Sequence, residues 1–118
     1  MFNDSQISKW IEKHGTATSF TFIVYGDLKE HEVELLIKGL VIHLEYRNIL
    51  HNMAVFFDPI NEEQAVAWNT FQGTSLSFVF AGDMTEIENE IEMIIKDGLK
   101  YMKYKNDYLG FYRSDSHV

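Results

Sequence analysis

Five histidines (His14, His31, His43, His51 and His117) are the side chains best suited to proton transfer or metal ligation in a chain that has no cysteine. No two of them stand at HxH or HExxH spacing. His43 and His51 would approach each other across a turn, but two ligands leave a zinc site incomplete. Serines and threonines are plentiful, yet none lies in a G-x-S-x-G elbow or beside a histidine and an acid that could relay its proton. Neither a P-loop nor a G-x-G-x-x-G turn is present. The expectation is therefore a protein with no catalytic residue, no metal and no cofactor.

Among the carboxylates, Asp27 and Asp58 merit comparison, because each stands where an apolar, β-branched run gives way to a helix start. If the strands before them are parallel neighbours, both acids lie at one sheet edge. There they could hold a divalent cation or share a proton, as in a small-ligand sensor or enzyme. The simpler role is that each caps its own helix.

Two segments could recognise a macromolecule. The run EIENEIE places Glu86, Glu88, Glu90 and Glu92 on one helix as a negative ridge. Such a ridge favours the helix dipole and suits a basic protein partner. Further on, Lys100, Lys103 and Lys105 alternate with Tyr101, Tyr104 and Tyr108. Basic residues among aromatics can hold single-stranded nucleic acid. However, residues 1–95 carry five basic against fifteen acidic side chains, a balance of −10, whereas residues 96–118 carry +2. The body repels phosphate, and MAVFFD lacks the aromatic pattern of an RNA-recognition strand. A protein partner is thus favoured over nucleic acid, with pairing of two copies through sheet or tail aromatics as a further option. The function expected is a small acidic regulator, inhibitor or immunity-type factor acting through surface charge complementarity.

These segments must be positioned by a core. Apolar side chains make up 46% of the 118 residues, enough for one domain without disulfides. Residues 1–113 read as that domain and 114–118 as a frayed polar tail. No run of apolar residues approaches the length of a membrane span, and the N-terminus lacks a signal-peptide pattern, so the cytoplasm is the expected location.

Periodicity predicts a helix over 4–14 and a strand over 16–25 with apolar residues on both faces. Residues 28–50 are ambiguous. Val33, Leu36, Leu40 and Leu44 keep helical spacing, yet LVIHLEY also alternates as a strand. Gly39 at the junction favours a helix over 28–38 and a strand over 40–47, with one long helix as the alternative. A strand over 53–58, a short helix over 62–71 and a strand over 75–81 follow. A helix then begins at the Thr85/Glu88 capping box. It either continues to about residue 105 as an added C-terminal helix, or gives way to a hairpin around Asn106-Asp107. The resulting α+β order is βαββαβ with terminal helices, that of a ferredoxin-like sandwich. The long-helix alternative would leave a three-stranded layer.

Overall fold

The computed structural model describes residues 4–25, 28–49, 52–67, 73–102 and 108–117. The chain is an α+β protein, running α1 (Asp4–His14), β1 (Thr16–Tyr25), α2 (Glu30–Tyr46), β2 (Met53–Pro59), α3 (Glu62–Ala67), β3 (Gly73–Ala81), α4 (Glu88–Tyr101) and β4 (Tyr108–His117). The strands form one antiparallel sheet in the order β2-β3-β1-β4.

The strand predicted over 40–47 does not form. Residues 30–46 are one helix, with Val33, Leu36, Leu40 and Leu44 buried along one side. Gly39 is not among the residues with positive φ and does not end it. Asn48 does. It adopts φ +58, and the Ile49 N–H donates to the Leu44 carbonyl while the Asn48 N–H donates to the Glu45 carbonyl. That pair of bonds is the Schellman stop, which asparagine tolerates in the left-handed region. Ile49 packs against the core, completing the motif.

The three-stranded layer that would follow from the long helix is not found either, because the fourth strand comes from the C-terminus. α4 stops at Tyr101, so the added C-terminal helix is replaced by β4, which pairs along β1 from Thr16–His117 to Val24–Tyr108. The expected frayed tail lies within that strand through His117. A polar sequence such as RSDSH has low strand propensity alone, and here a long central partner supplies the ladder. A hairpin at Asn106-Asp107 falls outside the described residues, as does the end of the short helix at 68–71.

The main core lies on one face of the sheet. Phe20, Phe22 and Val24 of β1 and Leu76, Phe78 and Phe80 of β3 pack against Leu36, Leu40 and Leu44 of α2 and Ile91, Ile95 and Leu99 of α4. Phe20 meets Phe80, and Phe22 meets Phe78, edge to face at centroid distances of 5.8 and 6.1 Å. Both pairs are diagonal across the β1–β3 ladder, where aromatic rings reach each other. On the opposite face, Trp10 of α1 covers Ala17, Val79 and Ala81. Both faces of β1 are thus covered at that end.

Thr18 ties β1 to the segment that leads into α4. It is fully buried, its hydroxyl donating to the Gly82 carbonyl (2.8 Å) and accepting from the Met84 N–H (3.2 Å). The Thr85/Glu88 capping box is not the start of α4. Asp83 instead accepts from both the N–H and the hydroxyl of Thr85, and a single 3-10 turn over Thr85–Ile87 leads into the helix.

Candidate functional site

α2 and α4 lie side by side and antiparallel, since His43 meets Glu90 while Leu36 meets Gly98. The approach at Gly98 is close. A Cβ there would stand 2.5 Å from Leu36 Cδ2, so glycine makes room for the Leu36 side chain at this end. At the other end a charge cluster joins them. Arg47 holds the Glu90 carboxylate through Nε at 3.0 Å and Nη2 at 3.2 Å, and His43 Nε2 lies 3.2 Å from Glu90 Oε1.

At the Gly98 end the helices leave an apolar dent of about 240 Å³, with Leu35 and Gly39 on one wall and Ile94, Gly98 and Tyr101 on the other. Gly39 has nothing within 4 Å of where a Cβ would be, so its missing side chain opens the dent to solvent. Exposed apolar residues continue from the dent along α2. Leu35 is 57% exposed, Ile42 59% and Tyr46 84%, and Tyr101 of α4 is 92% exposed. At about 100° per residue, positions 35, 39, 42 and 46 fall within one narrow stripe of the helix. It lies about 135° around the helix from the buried line of Val33, Leu36, Leu40 and Leu44, on the side turned toward α4. Four large or absent side chains in one line, none of them serving the core, form a surface suited to contact with another molecule.

The residues expected from sequence are distributed differently. Glu90 is not part of a free ridge, because it faces α2 and is held by Arg47 and His43. Glu86 is exposed in the 3-10 turn, while Glu88 and Glu92 are half-buried. The ridge is therefore broken at its centre. Lys100 and Tyr101 are exposed at the end of α4. Lys103, Tyr104 and Lys105 lie outside the described residues, and Tyr108 opens β4 opposite Val24.

Asp58 is exposed near the end of β2, and Asp27 lies outside the described residues. Their strands point the same way but are not neighbours, because β3 runs between them. The juxtaposition expected for that pair rested on adjacent strands and is corrected by this order. Among the described residues, no group of three or more histidines and carboxylates could hold a metal ion. No helix of the described residues is long and apolar enough to cross a membrane.

Comparison with known proteins leaves the surface to speak for itself. No protein-family model matches the chain, and no curated protein matches it. What distinguishes the α2/α4 face is thus its own chemistry, an open apolar stripe with charged margins. Sequence reasoning passed over Leu35, Ile42 and Tyr46. Their signal was an excess of apolar residues in α2 beyond what a single buried line needs.

Proposed function

We propose that this chain is a small acidic protein-binding regulator that acts without a catalytic step, and that the α2/α4 face is its contact surface. One observation carries the reading: the large exposed apolar side chains of α2 line up beside an open dent. Isolated exposed apolar residues are ordinary, but a contiguous set on paired helices suits the centre of a protein interface. The acidic body supports a protein partner by repelling nucleic acid and anionic lipid. Inhibitors and immunity-type factors are forms of the same activity, since each needs a matched surface and no chemistry. The strand order and the shared core of α2 and α4 also support a ferredoxin-like sandwich, in which Met53–Pro59 supplies the second strand. The lack of cysteine fits work in a reducing compartment such as the cytoplasm.

A photoreactive side chain placed at Ile42, in the full chain and in native extract, tests this reading. Covalent capture of a protein from position 42, and not from a control position at Glu12 on α1, is the expected result. Equal labelling from the two positions, or none from 42, overturns it.

A further inference from the structure

The geometry points to a second copy of this chain as the occupant of the α2/α4 face, docked across a two-fold axis near the middle of α2. This inference rests on the reading of that face as a contact surface and names what fills it.

A two-fold contact must be self-complementary, so that what one copy presents the other must receive. The stripe on α2 meets that condition. With two α2 helices laid antiparallel about a point between Leu40 and Val41, Leu35 comes opposite Tyr46 of the second copy. Gly39 comes opposite Ile42 in the same register. The exposed Ile42 side chain is the protrusion, and the open space at Gly39 is the recess that takes it. Each copy carries both, one turn apart, so the match occurs twice.

The charges along the margin agree with this register. Lys38 and Glu45 lie on the flank of the stripe away from His43, and both are exposed. No ion pair takes up either of them among the described residues. Antiparallel docking in the same register brings Lys38 of each copy beside Glu45 of the other. The net charge of −8 on each copy opposes association, but its long-range part is screened beyond about 8 Å at physiological salt, leaving these local pairs to set the register.

Sedimentation velocity on the full chain, from roughly 1 µM to 1 mM, covers the range expected of a small interface. The wild-type chain is expected to pass from monomer to dimer in that range. Ile42→Glu, at an exposed position, should remain monomeric with an unchanged melting curve. Lys38→Glu and Glu45→Lys should each weaken the dimer by about tenfold, since each creates two like-charge contacts. An equimolar mixture of these two variants should restore it, because every contact in the mixed dimer is again attractive. A wild-type monomer throughout, a dimer that survives Ile42→Glu, or a mixture no tighter than its components overturns the proposal. Should the chain stay monomeric while position 42 still captures a foreign protein, the second copy is excluded and the contact surface stands. Failure of both removes both.

Discussion

Replacing Thr18 with valine removes one oxygen from the interior and should loosen the segment that leads into α4. The two side chains have nearly the same shape, so packing against the core is conserved and the change isolates the hydroxyl. That hydroxyl makes two bonds, a partly buried one to the Gly82 carbonyl and a buried one from the Met84 N–H. Met84 is itself buried, leaving its amide little access to water once the oxygen is gone. An orphaned buried donor costs about 1–3 kcal/mol, and the carbonyl, with a second lone pair, adds less. Valine gains a little from not burying a hydroxyl, so a net loss of about 2 kcal/mol is expected. In a domain of this size that corresponds to a fall in Tm of about 8 °C. Thr18→Ser keeps both bonds and loses one buried methyl, for a smaller loss of about 1 kcal/mol. Urea unfolding followed by circular dichroism gives both values, and hydrogen exchange at the Met84 amide gives the local effect. Exchange there should accelerate in the valine variant and not in the serine one. A valine variant as stable as the wild type, or more stable than the serine variant, shows that this hydroxyl does not pin the segment before α4 to β1.

The two glycines of the α2–α4 pair should respond in opposite directions to alanine. Gly39→Ala enters open space in a helix interior and should stabilise the chain by about 1 kcal/mol, read as a higher urea midpoint. Gly98→Ala forces Leu36, a buried core residue, to move, and overpacking of about 1–3 kcal/mol should outweigh the helix gain. Equal effects at the two sites would contradict the close approach of the helices at Gly98. Glu90→Gln leaves Arg47 without its carboxylate in a partly exposed pair, so a loss of no more than about 1 kcal/mol, shrinking with added salt, is expected in the same unfolding assay.

Much of this fold is readable from residue order, and the reasons differ element by element. β1 and β3 announce themselves because TATSFTFIVY and SLSFVFA combine β-branched and aromatic residues with alternation, and central strands need both. The register that makes Phe20 and Phe78 partners is not in either segment; it arises from the pairing itself. β4 was legible only as one arm of the alternative hairpin around Asn106-Asp107, for the related reason that an edge strand borrows its order from its neighbour. Its tyrosines, with the lysines that precede it in sequence, read as a recognition tail, whereas the ten residues from Tyr108 to His117 are ladder partners of β1 or lie within that strand. The acidic ridge was legible as charge but not as surface, because the positions of Arg47 and His43 beside Glu90 depend on two helices 43 to 47 residues apart in sequence.

The ambiguity of α2 bears most directly on the candidate site. Leu40, Ile42, Leu44 and Tyr46 alternate as a strand would, and Gly39 before them looked like a helix stop. The helix divides these four residues. It buries Leu40 and Leu44 on its core line and leaves Ile42 and Tyr46 exposed. A helix selected only for its own core has no need of apolar residues at 42 and 46, and polar ones there would have made the helical period plain. Nor does the helix need glycine at 39, where any side chain would have room and most would raise its stability. The features that made the segment hard to assign are therefore the same residues that form the protrusion and the recess. Local propensity is set aside at positions where a surface serves something other than the fold. If Gly39→Ala proved neutral and Ile42→Glu left every association unchanged, that inference from misfit to contact would lose its basis.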